Sequence, residues 1–194
     1  MRITGGTAAG RFLKVPRGLD VRPTPDLVKQ ALFNSLGERV IGARVLELFA
    51  GTGALSLDCL SRGAAHAVCV EKSPRHAQVI RQNLDISGLA ADSLEVRVQD
   101  VSAALGQLSA AGGRFEIVVA DPPYGVKNSG QRSTSFAQQL LDDARLPQVI
   151  ASDGLLVLGH ARRDTLDIPA RWRECKLLRH GDSVVRFLST ADGS

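Results

Sequence analysis

The chain has 194 residues and a mass of 20.6 kDa, enough for one domain and too little for two of comfortable size. Hydrophobic residues make up 44% of it and charged residues 23%, which excludes a disordered tail, a collagen-like repeat and a coiled coil. No apolar run approaches the roughly 18 residues of a membrane helix, and the residues after Met1 lack the apolar core of a signal peptide. We therefore expect a cytoplasmic protein that does not associate with membranes.

The net charge of +4 is unevenly distributed along the chain. Residues 1–40 contain seven basic and three acidic side chains, residues 41–161 contain ten and twelve, and residues 162–186 contain seven and four. Two basic ends around a mildly acidic centre are either solvated surface or flanks that hold a polyanion while the centre carries out chemistry. Charge alone does not decide between the two.

The sequence gives no sign of a disulfide framework or a metal site. The three cysteines, Cys59, Cys69 and Cys175, include no Cys-x-x-Cys pair, and the four histidines lack the spacing of metal ligands. We expect the cysteines to be small buried residues and the protein to need no metal.

Residues 1–40 differ in character from the rest and predict an extension in front of a main domain at 41–190. Arg2–Thr4 and Phe12–Val15 flank a glycine-rich segment, which is typical of a β-hairpin. Thr24 followed by Pro25 predicts the start of a helix. The apolar stripe expected on this helix consists of Leu27, Val28, Ala31, Leu32 and Leu36.

From Arg44 onward, short apolar runs alternate with helical patterns, which is typical of a parallel sheet covered by helices. Ser73 and Pro74 predict the start of a helix that ends at Gly88. Residues 125–135 predict an irregular loop. The predicted strands are 45–49, 67–70, 94–98, 117–120 and 155–158, with an antiparallel hairpin formed by 175–178 and 184–188. The fold class expected is α/β, a doubly wound, mostly parallel sheet closed at one edge by the antiparallel C-terminal hairpin.

The first motif is a glycine turn at residues 46–55, between the first predicted strand and its helix. Gly51 and Gly53 let a ligand approach the backbone, and Glu71 at the end of the second strand is placed to bind a ribose diol. Taken alone, this pattern also fits a dinucleotide site. Glu47 disfavours that, because a carboxylate beside the turn would repel a pyrophosphate but could pair with the ammonium of an amino-acid moiety.

The second motif is residues 118–124, where a buried strand runs into Asp121, two prolines and Tyr124. The prolines make this exit rigid and extended. A planar amine-bearing base could stack on Tyr124 while Asp121 and a proline carbonyl accept its N–H bonds. These contacts would direct the amine nitrogen toward an electrophilic methyl group.

Together the motifs resemble class I S-adenosylmethionine-dependent methyltransferases, and more closely the bacterial 16S ribosomal RNA guanine-N2 methyltransferases of the RsmD type. The resemblance spans residues 1–125 and resumes at 179–188. It departs from the family pattern at Thr52, Ser56 and Asp58, and at residues 159–162, where the family has a carboxylate. The shared residues are Arg2–Gly6, Gly10–Arg11, Arg22–Thr24, Phe33–Asn34, Leu48–Leu55, Leu60–Ala64 and Asp121–Tyr124.

This resemblance implies a Rossmann-like enzyme that uses S-adenosylmethionine as cofactor and methylates 16S rRNA of the small ribosomal subunit. We expect it to be a monomer, although the sequence does not reveal the oligomeric state. The extension would bind RNA and close over the cofactor. Asp100 would bind the adenine amine, although it could equally cap the following helix, and Phe33 could belong to the core. The implied catalytic residues are Asp121, Pro122 and Tyr124. The implied cofactor-binding residues are Asn34, Glu47, Phe49, Gly51, Gly53, Glu71, Lys72, Asp100 and Val101. The implied RNA-binding residues are Arg2, Arg11, Lys14 and Arg22.

Other functions stay open at this point. An adenine-N6 DNA methyltransferase uses a motif like Asp121–Tyr124, but 194 residues leave no room for a separate recognition domain. The basic ends disfavour a protein-glutamine methyltransferase, and Glu47 disfavours a dehydrogenase. A non-catalytic RNA-binding module is disfavoured by the presence of Glu71, Asp121 and Tyr124.

Overall fold

The computed structural model describes residues 1–16, 25–123 and 132–191. Within these ranges the α-helices are α1 (Asp26–Leu36), α2 (Ala54–Ser61), α3 (Pro74–Ser87), α4 (Val101–Ala110) and α5 (Phe136–Asp142). The strands are β1 (Arg44–Leu48), β2 (His66–Glu71), β3 (Leu94–Val98), β4 (Phe115–Ala120), β5 (Ile150–Ala161), β6 (Trp172–His180) and β7 (Ser183–Thr190).

The strands form one sheet in the order β3-β2-β1-β4-β5-β7-β6. Strands β1 to β5 are parallel, while β7 runs antiparallel to both β5 and β6. The chain order reverses direction between β1 and β4, so that the carboxyl ends of β1, β2 and β4 meet at one edge. In a doubly wound sheet, ligands bind at this switch point. The predicted fold class and the C-terminal hairpin are confirmed.

Helices cover both faces of the sheet, and each face has its own core. Helices α1, α2 and α3 pack on one face, and α4 and α5 on the other. Strand β1 shows how the alternating residues of a strand supply both cores, because Val45 faces the first cluster while Leu46 and Leu48 face the second. Burial on both faces holds the strand ends, and hence the turns that follow them, in fixed positions.

The local signals in the main domain predict the elements with different accuracy. Helix α3 has the expected ends: the Ser73 hydroxyl accepts a hydrogen bond from His76 N at 3.3 Å, and Gly88 has a φ of 66°. Strand β3 has its predicted bounds, but β5 extends far beyond residues 155–158. The extension of β5 comes from pairing with β4 on one side and β7 on the other, which no local pattern indicates.

The N-terminal extension differs from expectation. The hairpin is present only as one antiparallel bridge between Arg2 and Phe12, not as two strands. Thr24 lies outside the described residues. The predicted stripe on α1 is wrong at Leu27 and Ala31, which are exposed, while Lys29 is fully buried.

The buried lysine explains how the extension is attached to the main domain. Lys29 Nζ lies 3.0 Å from Asp58 Oδ2 on α2 and also donates to the Arg2 carbonyl. Asp58 Oδ1 accepts from Thr4 N at 2.8 Å and from the Thr4 hydroxyl at 2.9 Å. A charged side chain tolerates burial when it is paired and hydrogen-bonded in this way. These contacts join the hairpin, α1 and α2.

The remaining structural expectations have mixed outcomes. Cys59 and Cys69 are buried as expected, but Cys175 is exposed because it lies on β6, at the edge of the sheet. Most of the loop predicted at residues 125–135 lies outside the described residues. Among the helices that the structure describes, none combines the length and apolar character needed to cross a bilayer.

Candidate active site

A pocket of about 460 Å³ opens at the carboxyl edge of the sheet. Its walls come from α1, from the turn after β1, from the ends of β2 and β4, and from β7. Most of the lining is apolar, and the carboxylates that reach it are Glu71, Asp100 and Asp121. A largely apolar cleft with a few convergent polar groups is typical of a small-molecule site.

The turn after β1 forms the floor of this pocket. Phe49, Gly51 and Gly53 all have positive φ values, of 58°, 55° and 72°. Glycine adopts this conformation freely, but Phe49 does so at a cost, and strained backbone of this kind clusters at functional sites. A Cβ atom at Gly53 would lie only 2.9 Å from Ile80 Cγ2, so the turn packs closely on α3. Phe49 and Gly51 line the pocket, whereas Gly53, which was also predicted to bind the cofactor, does not.

Glu71 lies at the end of β2 and holds the turn in place. One carboxylate oxygen accepts from Gly51 N and the other from Ser73 N, both at 2.8 Å. The side chain is 10% exposed, and its Oε1 lies 3.4 Å from His76 Nδ1. Because a carboxylate has about four acceptor positions, these contacts leave capacity for a ligand hydroxyl.

Asp100 caps α4, as one of the two readings of this residue expected, and its binding to an adenine amine stays a prediction. Its side chain accepts from Ser102 N at 2.9 Å and so caps α4, and it also lines the pocket. Lys72, whose Nζ lies 3.6 Å from Asp100 Oδ2, and Val101 line the same end of the pocket.

The structure does not bring Glu47 to the pocket wall. This side chain lies beneath the turn, where its Oε2 accepts from Ser56 N at 2.8 Å and lies 3.6 Å from Cys69 Sγ. Burial raises the pKa of Glu47 from its ordinary value of 4.5 to about 7, although the contacts with Ser56 and Cys69 oppose the shift. In this geometry Glu47 is not positioned to pair directly with a ligand ammonium, contrary to the expectation.

Asp121 and Pro122 occupy the exit of β4 and line the pocket. The Asp121 carboxylate lies against Gly159 of β5, since a Cβ atom there would be 2.5 Å from Asp121 Oδ1. Gly159 thus provides the space that this carboxylate occupies. Tyr124, the third predicted catalytic residue, lies outside the described residues.

The structure also adds residues to the site and leaves one out. Asn34 is exposed on α1 and does not line the pocket, while Phe33 is buried with the Arg62 guanidinium 4.4 Å from its ring centre. Helix α1 instead contributes Val28 and Leu32 to the lining. The lining residues that the sequence did not indicate include Pro25, Val28, Leu32, His76, Phe136, Gly159 and Val184. Only the helical spacing of Val28 and Leu32 could have indicated any of them.

Three of the four predicted RNA-binding residues, Arg2, Arg11 and Lys14, are exposed on the extension. Arg2 Nε is paired with Asp26 Oδ2 at 2.8 Å. Arg11 donates to the Ile86 carbonyl at 3.0 Å, and Lys14 Nζ donates to a side-chain oxygen of Gln82 at 3.2 Å. Arg22 lies outside the described residues.

Comparisons with known proteins agree with this architecture. A family model described as conserved hypothetical protein 95 matches residues 1–189. YlbH of Bacillus subtilis, named as a candidate rRNA methyltransferase, is 33% identical over 162 residues, which are 84% of this chain and 83% of its own. Ribosomal RNA small subunit methyltransferase D of Escherichia coli is 40% identical over 124 residues, 64% of this chain and 60% of its own. The solved structure of a hypothetical protein from Thermus thermophilus has a TM-score of 0.78 at 30% identity, covering 98% of this chain and 99% of that one.

Proposed function

Because the chain belongs to the family described as conserved hypothetical protein 95, we propose that it transfers a methyl group from S-adenosylmethionine to the N2 amine of a guanine in 16S ribosomal RNA. The relatives named as rRNA methyltransferases support the class of reaction and of substrate. The observation that carries the proposal is that one pocket is lined by the glycine turn, by the Glu71 carboxylate and by Asp121, which follows β4.

The pocket fits S-adenosylmethionine in its chemistry. Glu71 would bind the ribose hydroxyls, Asp100 the adenine amine, and the backbone around Gly51 the amino-acid end. His76 supports this assignment, because its Nε2 is buried at the pocket and has no hydrogen-bond partner among the described residues. A polar ligand group would satisfy that nitrogen. When bound, the cofactor supplies an electrophilic methyl group.

Asp121 would hold the target amine. The lone pair of an aryl amine is delocalised into its ring, so the nitrogen is a poor nucleophile until its hydrogens are held out of plane. Asp121 and the Pro122 carbonyl would accept the two N–H bonds and turn the lone pair toward the methyl group. Transfer forms the nitrogen–carbon bond as the sulfur–carbon bond breaks, and the surplus amine proton passes to solvent.

The other parts of the molecule would serve the RNA. The base must leave its stack to reach a pocket at the sheet edge, and Tyr124 would stack on it. Arg2, Arg11, Lys14 and Arg22 would contact phosphates, and α1 would cover the cofactor. We place the enzyme in the cytoplasm as a monomer that needs no metal.

The test is incubation of the protein with labelled S-adenosylmethionine and 16S rRNA or small subunits that lack the modification. The digested RNA is then analysed for its labelled nucleoside, with Asp121→Ala as the inactive control. N2-methylguanosine, produced by the parent alone, is the expected product. Label on a ring carbon, on a ribose or on an adenine would refute the proposed substrate.

A further inference from the structure

A second cavity, of about 340 Å³, lies on the outer part of the sheet, where β5, β7 and β6 run side by side. It has no role in the reaction proposed above. Its lining includes three arginines, Arg162, Arg179 and Arg186, together with His160 and Asp164. This cavity contains part of the basic C-terminal region of the sequence, residues 162–186.

The register of the strands brings these side chains together. His160, Val184 and Arg179 are partners in one row across β5, β7 and β6. Leu158, Arg186 and Leu177 form the next row. Partners in a row share a face of the sheet, and so do residues two apart on β7, which places His160, Arg179 and Arg186 on one face.

Two side-chain contacts fix the orientation of Arg186. Its Nε donates to His160 Nε2 at 3.0 Å, and its Nη1 is paired with Glu174. Because His160 Nε2 accepts this bond, the imidazole proton resides on Nδ1, which lies 2.9 Å from the Ala161 carbonyl. Burial and the adjacent Arg186 both lower the pKa of His160, which keeps the ring neutral and able to accept.

The cavity has an excess of positive charge. Asp164, the acidic residue in the lining, is buried and accepts from the Ser133 hydroxyl at 2.5 Å. Arg162 and Arg179 are exposed, and neither is in an ion pair within the ranges that the structure describes. Arginine presents a planar set of donors that matches phosphate oxygens, so this arrangement favours a phosphate group.

The cavity adjoins the pocket at the carboxyl edge. Val184 lines both of them. Gly159, which leaves room for the Asp121 carboxylate, and His160 are consecutive residues at the carboxyl end of β5, so the pocket and the cavity approach this end from opposite faces of the sheet. A strand whose base enters the pocket beside Asp121 would therefore pass next to the arginines with its backbone.

We infer that this cavity binds a backbone phosphodiester of the RNA strand whose base enters the pocket. Arg162 and Arg179 make the main contacts with the phosphate, and Arg186, whose orientation is fixed, contributes further positive charge. The inference rests on the proposed function, because it takes the pocket to receive an RNA base. It adds a second RNA contact, on the opposite end of the chain from the extension.

The test compares RNA binding by the parent, Arg162→Ala, Arg179→Ala, the double variant and Arg163→Ala. Arg163 is the matched control because it is exposed and adjacent in sequence but does not line the cavity. The probe is unmodified 16S rRNA, titrated at several salt concentrations without S-adenosylmethionine. Binding of the cofactor and of inorganic phosphate is measured separately by calorimetry.

We expect each single cavity variant to weaken RNA binding by about tenfold and to reduce the slope of log affinity against log salt by about 0.7, and the double variant to reduce that slope by about 1.4. Arg163→Ala should have a clearly smaller effect, and S-adenosylmethionine should bind all variants like the parent. Cavity variants that behave like Arg163→Ala would overturn the inference, even if the parent methylates RNA. The inference would also be overturned if the cavity variants lost binding of inorganic phosphate but kept the RNA affinity of the parent. If RNA binding weakens as expected but the parent transfers no methyl group, the phosphate contact stands and the proposed function fails.

Discussion

Glu47 and Glu71 are two carboxylates near one glycine turn that have different environments. Glu47 is 4% exposed and lies beneath the turn, whereas Glu71 bonds the turn from its side and reaches the pocket. Sequence spacing indicated both as ligand-binding residues, because spacing reports proximity to the turn but not which side of it a carboxylate occupies.

The raised pKa of Glu47 makes stability depend on pH. Between pH 4.5 and about 7 the folded protein keeps a proton on Glu47 that the unfolded chain releases. The free energy of unfolding should therefore fall as pH rises through this window, by roughly 3 kcal/mol in total. Glu47→Gln cannot ionise and should lose this dependence. Urea unfolding at several pH values in this window measures the dependence, and Glu38→Gln, at an exposed position, is the control. Equal pH profiles of the free energy of unfolding for the parent and Glu47→Gln would contradict this prediction.

Glu71 should matter for cofactor affinity. Loss of a charge-assisted hydrogen bond of about 1.5–3 kcal/mol in Glu71→Ala should weaken S-adenosylmethionine binding about tenfold to a hundredfold. Calorimetry measures the affinity, and the exposed Glu95→Ala on β3 is the control. Since Glu71 also accepts from Gly51 N and Ser73 N, the variant is first checked for a folded state. An unchanged affinity in the folded variant would remove Glu71 from the site.

At the scale of elements, the ion pair between Lys29 and Asp58 joins α1 to α2. Both side chains are fully buried. Lys29→Met leaves the Asp58 carboxylate without its buried cation, which should reduce the free energy of unfolding by about 3–5 kcal/mol. Arg97→Met breaks the more exposed pair with Glu95 and should reduce it by about 1 kcal/mol or less. Urea unfolding compares the two, and equal losses would show that the buried pair does not hold α1.

The same pair shows why some elements were predictable and others were not. Helix α3 has a serine cap, a proline and a terminal glycine, all of them local signals, and its bounds follow from them. The buried face of α1 depends on Asp58, which is 29 residues from Lys29 in sequence, so periodicity placed Leu27 in the stripe and left out Lys29. His76 and Val184 reach the pocket through packing of α3 and β7, which no local pattern encodes.

At the level of the whole molecule, both chain ends expose basic side chains, Arg11 in the extension and Arg162 and Arg179 at the second cavity. Within the extension, Arg11 donates to a carbonyl and is in no ion pair with the described residues, whereas Arg2 is paired with Asp26. Arg11→Ala should therefore reduce the salt slope of RNA binding by about 0.7, and Arg2→Ala by less. Binding titrations at several salt concentrations measure both slopes. A slope for Arg11→Ala equal to that of the parent would show that Arg11 is solvated and makes no phosphate contact.

The central claim is that methyl transfer takes place in the pocket beside Asp121. The most direct measurement is the single-turnover rate of methyl transfer to unmodified 16S rRNA by the parent and Asp121→Ala. Both must first be shown by calorimetry to bind S-adenosylmethionine equally, so that only chemistry is compared. We predict that Asp121→Ala loses transfer by at least about a hundredfold, because general positioning and acid–base contacts contribute about that much. A rate in Asp121→Ala close to that of the parent would contradict the account.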